Sequence, residues 1–275
     1  MNLKTSLSLV LLLLVGAPVL AQDRSKSEPE TKQKVGFVMP FEFDYDFGAI
    51  AGNALIGRFF PLITVPLGEK WQYHNLTLAV IADAPGGRPG FPGNPDAVIG
   101  EKAFGLGDWI NISTFLPALN SDKFIFGFGF AMGIPLATNP GFGSGKWSIG
   151  PSLRIGFNPG KWRINFLGGN LWSYAGDSER GEVNQMIIRG LIRRPFGSKW
   201  FFTSNPIITA NWNAGRGQRW LVPLGGGIGN NFNLFKMDMS LAVHGYLNVE
   251  RPAGAPKGLV RVDLLFKQSA LPIPK

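Results

Sequence analysis

From Val35 onward, apolar and polar side chains alternate with a period of two, in segments of about ten residues separated by turn residues. In Trp147-Ser148-Ile149-Gly150-Pro151-Ser152-Leu153-Arg154-Ile155-Gly156-Phe157 every odd position is apolar and every even one small or polar. In Met237 to Val249, Asp238, Ser240, His244 and Asn248 share one face, and near the end Val260, Val262, Leu264 and Phe266 oppose Arg261, Asp263 and Lys267. Twelve such segments fall at 35–46, 53–66, 70–82, 104–116, 122–134, 146–157, 161–174, 184–194, 199–212, 218–230, 236–249 and 258–268. The pattern predicts an all-β chain, an antiparallel up-and-down transmembrane β-barrel of about 12 strands over residues 35–268.

The connections alternate in length. Short turns, such as Leu67-Gly68-Glu69-Lys70, Asn158-Pro159-Gly160, Pro195-Phe196-Gly197-Ser198 and Asn230 to Asn233, oppose long loops at 84–102, 137–145, 175–183 and 250–257. That asymmetry is expected of outer-membrane barrels, with the long loops outside. Trp162 with Trp172, and Trp200 with Trp212, each share one parity of a single segment. At ~3.3 Å per residue and a tilt near ~40° the members of each pair stand roughly 25 to 30 Å apart, the spacing of two membrane girdles.

The N-terminus changes the picture from any β chain to an exported one. A basic start at Lys4, an apolar run from Leu7 to Leu14 and the small-residue site Pro18-Val19-Leu20-Ala21 read as a signal peptide over 1–21. Residues 22–34 read as a polar tail and 269–275 as a C-terminal tail. A soluble β-sandwich also alternates, and what separates the barrel from it is the export signal together with segment length, loop asymmetry and Trp spacing. The chain holds no cysteine, so disulfides are excluded. Its 37 Gly, 22 Phe and 8 Trp, with 16% charged residues, form a mix rare in soluble domains. A formal net charge of +9 suits anionic lipid or lipopolysaccharide better than nucleic acid for an exported chain.

The stretches Trp172 to Asp177, Val183-Asn184-Gln185, Asn205 to Trp212 and Gln218 to Gly229, with Gly105-Leu106-Gly107-Asp108 and Ile149-Gly150-Pro151 upstream, resemble the neuromedin-U-like, or "MetA-pathway of phenol degradation", bacterial outer-membrane proteins. The resemblance covers roughly residues 100 to 266. It implies an outer-membrane barrel importing small, often aromatic or hydrophobic compounds, and carries no catalytic or binding residues over. The segment Lys267 to Lys275 departs from the usual terminal strand.

Parity places Glu42, Asp44, Asp46, Arg154, Arg163, Arg189, Arg193, Asp238, His244, Arg261 and Asp263 toward the lumen. The three acids beside Phe41, Phe43, Tyr45 and Phe47 could bind cations or balance lumenal arginines, although a merely polar lumen is the commoner case. The arginine ladder could select anions or simply rigidify the lumen. Trp109, Phe115 and Tyr246 are candidates to fill part of it. His244 with Ser240 and Asp238 raises a hydrolase acting on lipid, but that chemistry needs a site facing acyl chains, and this face looks inward. His74 reads as a strand-end residue, Pro85 to Gly90 as a loop, and Gly225 to Gly229 as close-packing glycine rather than a nucleotide loop. No catalytic residue, metal or cofactor is expected. The expected function is an outer-membrane pore or transporter for small solutes, inserted by the barrel assembly machinery; a lipid-acting enzyme and an adhesive surface barrel are the alternatives.

Overall fold

The computed structural model describes residues 34–85, 89, 91–94, 101–117, 123–235 and 237–272. The expected signal peptide, all but the last residue of the N-terminal tail, and residues 273–275 lie outside them. The strands are β1 Lys34–Phe47, β2 Ala54–Phe59, β3 Leu62–Leu67, β4 Trp71–Ala84, β5 Ala103–Leu106, β6 Trp109–Pro117, β7 Phe124–Ile134, β8 Lys146–Phe157, β9 Arg163–Gly176, β10 Asn184–Phe196, β11 Trp200–Ser204, β12 Ile207–Asn211, β13 Trp220–Leu234, β14 Met237–Glu250 and β15 Gly258–Pro272. All pairings are antiparallel, and β1 pairs β15 from Phe47↔Gly258 to Lys34↔Pro272, so the sheet closes on itself. Three of the expected segments are each broken in two, as β2 with β3, β5 with β6 and β11 with β12, which makes twelve staves.

The breaks have residue-level causes. Pro61 and Pro206 lack the N–H that a ladder needs, and each offers only its carbonyl, to Thr77 N at 3.2 Å and to Gly190 N at 2.9 Å. The third break, Gly107-Asp108, shifts parity by one residue. Phe104 and Leu106 are exposed at even positions before it, Trp109 at an odd position after it. Trp109 and Phe115 therefore sit on the outer face, against the expectation that they fill the lumen.

Two expected boundaries move. The last strand continues past residue 268 to Pro272, where pairing with Val35 and Lys34 is still open to it, so residues 269–272 are not a tail. The strand β13 runs through Asn230 to Asn233, placed in a turn from the sequence, and the chain reverses at Phe235 instead. Gly160 and Gly197, with φ of 58° and 61°, carry two of the short turns.

Alternation sorts the side chains as the sequence pattern requires. Phe43 and Tyr45 are exposed on the outer face between the buried Glu42, Asp44 and Asp46. The outer face is rich in Phe126, Phe128, Phe130, Leu153, Phe202 and Leu247, each exposed. Within the lumen Leu76, Leu78, Val80, Ile110, Ile112 and Ile187 join one apolar cluster. Glycines 225, 227 and 229 press so closely on β14 and the Phe201 ring that a Cβ would collide with them.

Candidate functional site

The lumen divides into three levels. At mid-height an ionic network joins one side of the barrel. Asp44 on β1 accepts from Arg58 on β2 and from Arg261 on β15, whose Nε and Nη2 lie 2.7 and 2.9 Å from its two oxygens. Glu42, two residues back on the same face, meets Arg189 Nη2 at 2.5 Å and Arg261 Nη1 at 3.1 Å. The same Arg261 Nη1 donates to the Asn205 carbonyl at 2.8 Å. Asn205 stands at the β11–β12 break, and its amide donates to Asp263 at 2.6 Å and to Glu42 at 3.1 Å. The sequence face assignment thus brings Glu42, Asp44, Arg189, Arg261, Asp263 and His244 together. It missed Arg58 and Asn205, of which the alternation Ala54, Ile56, Arg58 could have shown the first.

His244 belongs to this network. Its Nε2 lies 3.0 Å from Asp263 and its Nδ1 3.0 Å from the Tyr246 hydroxyl, which in turn donates to Asn205 at 2.8 Å. Its described hydrogen-bonding neighbours do not include Ser240 or Asp238. The carboxylate of Asp238 instead accepts from Asn233 at 3.1 Å.

Toward the long-loop end, two connections fold into the lumen. Phe91 and Phe142 are 3% and 0% exposed and stack with ring centroids 6.0 Å apart. Gln185 on β10 holds the first connection, accepting from Gly93 N at 2.8 Å and donating to the Phe91 carbonyl at 3.3 Å. Asp108, at the parity-shifting break, holds the second by accepting from Ala137 N at 3.1 Å, Ser144 N at 2.7 Å and Ser144 Oγ at 2.9 Å. Above it, the Ser173 hydroxyl and the Lys146 ammonium hold the Glu182 carboxyl below its ordinary range. The sequence placed residues 84–102 in a loop, but nothing periodic marked Phe91 as inward-folding.

Toward the short-turn end the lumen opens into a cavity of about 780 Å³, lined by Lys161, Arg163, Arg193, Lys199 and Asp238 among others. Arg163 and Asp238 are among these lining residues. Arg154 lies on the neighbouring β8, with Nη1 2.5 Å from His74 Nδ1. His74 is therefore a lumen residue within β4, not a strand-end one.

Of the four tryptophans assigned to girdles, Trp162, Trp172 and Trp200 are exposed on the outer face. Trp212 is half-buried there, donating Nε1 to Asn170 Oδ1 at 2.7 Å. Trp162 and Trp200 adjoin short turns, and Trp172 and Trp212 adjoin Asn184 at the other end.

A polar cluster interrupts the outer face. Asn75 Nδ2 donates to Asn111 Oδ1 and Asn111 Nδ2 to Asn75 Oδ1, both at 3.0 Å, with Tyr73, Thr77 and Ser113 bonded around them. Leucine at Asn75 alone strands these partners on a face of Phe128, Phe130 and Ile63. It is expected to cost about 1 kcal/mol in a urea titration of the lipid-embedded barrel. Leucine at both Asn75 and Asn111 should recover part of that loss, and equal stability of the wild type and both variants would show the pairing is idle.

No family model matches the chain, and no curated protein matches it in sequence. Among solved structures it is similar to an outer membrane channel from Pseudomonas putida F1, with a TM-score of 0.59 and 14% identity over 90% of this chain and 99% of that one. It is also similar to the NanC porin, with a TM-score of 0.49 and 9% identity over 85% and 99% of the two chains. The first likeness establishes a shared barrel fold.

Proposed function

We propose that the chain is an outer-membrane pore or transporter for small solutes with apolar or aromatic bodies, exported by a signal peptide cleaved after Ala21. The observation that carries this reading is the closed barrel with an apolar outer face and a polar lumen wall that opens into a cavity of about 780 Å³. The apolar bodies are supported by the inner wall of Leu76, Leu78, Ile110, Ile112 and Ile187. The resemblance to the neuromedin-U-like family points the same way, as does the fold shared with a solved channel. Outer-membrane lipid and lipopolysaccharide would contact the aromatic outer face, and the barrel assembly machinery would insert it.

An enzyme reading rests on His244 alone. That ring is buried inside the lumen and meets Asp263 and Tyr246, neither of which is a serine-type nucleophile. The pore reading predicts solute flux: proteoliposomes carrying the refolded barrel should swell in L-phenylalanine faster than protein-free liposomes and pass ionic current in a planar bilayer. A heat-modifiable, fully folded sample that does neither would rule it out.

A further inference from the structure

We propose that the short-turn mouth of the lumen is a binding site for the carboxylate of a small organic acid, so that the transported solute class is an anion with an apolar body. This rests on the pore reading and narrows it. The arginines assigned to one lumenal ladder divide into two chemically different sets. Arg58, Arg189 and Arg261 are each matched by a carboxylate within the mid-height network, so they present little uncompensated charge to a solute. Lys161, Arg163, Arg193 and Lys199 line the cavity and, among the described residues, none has a carboxylate partner. Among the described residues Asp238 is the one acid in the lining.

The site is built, not merely basic. Arg193 is held by two fixed contacts. Its Nη2 donates to Asn231 Oδ1 at 2.7 Å, and its guanidinium lies 3.4 Å from the centroid of the Phe201 ring, itself 2% exposed. Asn231 is fixed in turn by donating to the Lys199 carbonyl at 3.0 Å. A guanidinium carries five N–H donors, so one bond to Asn231 leaves enough for a bidentate carboxylate. The volume, about 780 Å³, falls within the range of small-molecule sites.

The rest of the lining selects the ligand. Pro195 offers apolar surface beside the cations and the Phe201 ring lies under Arg193, suiting an anion with an aromatic or aliphatic body. A carboxylate carries one negative charge, and beyond the ionic network part of the lumen wall is an apolar cluster. Desolvating a phosphate dianion there would cost more than desolvating a monoanion.

The test uses the full barrel in detergent, with benzoate and inorganic phosphate as probes in calorimetric titration. Current reversal under a potassium benzoate gradient gives a second readout. Benzoate should bind and phosphate should bind more weakly. The R163E/R193E pair should weaken benzoate by at least about tenfold and move the reversal potential toward potassium. Asp238→Asn should bind benzoate at least as well as the wild type. If the reversed pair fails to show heat-modifiable folding, K161Q/R163Q, which leaves Arg193 and its partners in place, should show a smaller loss of the same sign. No benzoate binding by the folded wild type, equal binding by the variants, or tighter binding of phosphate overturns the proposal. A barrel that conducts chloride but ignores benzoate defeats this proposal alone. One that neither conducts nor swells defeats the pore reading, and the titration still decides the site.

Discussion

Replacing Arg261 by methionine is expected to cost the barrel about 3 to 5 kcal/mol, the usual penalty for removing one member of a buried ion network. Arg261 is 2% exposed and touches Asp44, Glu42 and the Asn205 carbonyl at once. Without it Asp44 keeps Arg58 and Glu42 keeps Arg189, but each loses a charge-assisted partner where water does not replace it. Lysine should not rescue the loss, because a single ammonium cannot make the paired contacts to Asp44 while reaching Asn205. The midpoint of heat-modifiable gel migration and a urea titration in lipid vesicles read the effect. Arg194→Met is the control: its guanidinium lies 5.3 Å from the Trp162 ring at an exposed position, and its loss should change little. Equal midpoints for Arg261→Met and Arg194→Met would mean the network fixes no part of the fold.

The network also shows what a sequence discloses of such a fold. That Glu42, Asp44 and Asp46 share a face follows from the two-residue period, since successive Cβ atoms point to opposite sides of a strand. That Asp44 meets Arg261, 217 residues later, follows only from closure of β1 on β15, which no local pattern encodes. The prolines at 61 and 206, inside segments read as single strands, both lie where a stave is broken. Gly107-Asp108 gave no comparable sign that it would reverse the facing of Trp109 and Phe115. The pair also anchors an inward-folded connection, and such a connection obeys hydrogen bonds of its own rather than sheet periodicity. For the same reason the basic mouth was visible only in part. Arg163 and Arg193 lie on strands and showed their parity, whereas Lys161 and Lys199 lie in the turns between strands and have none.

The second large effect is expected at Phe91, where aspartate should raise the rate of liposome swelling several-fold. Phe91 and Phe142 stack across the long-loop half of the lumen, packed in the cluster that includes Val80, Ile110 and Leu171. Two hydrogen bonds to Gln185 hold residues 91–94 in place, and each contributes about 1 kcal/mol. Burying the Phe91 ring adds about 1.5 to 3 kcal/mol. Aspartate removes that gain and adds the cost of burying an unpaired carboxylate, several kcal/mol, so the two bonds to Gln185 cannot hold the connection inside. The barrel wall itself is untouched, because Phe91 belongs to no stave and its bridge to Asn94 is local. Gln185→Ala tests the same contact from the wall and should raise swelling less, since the Phe91–Phe142 stack remains. Phe235→Asn, in an 81% exposed turn residue at the opposite end whose φ of 50° asparagine tolerates, should leave the rate unchanged. If folded Phe91→Asp barrels swell no faster than the wild type, residues 91–94 do not limit flux, and the resistance lies in the ionic network below them.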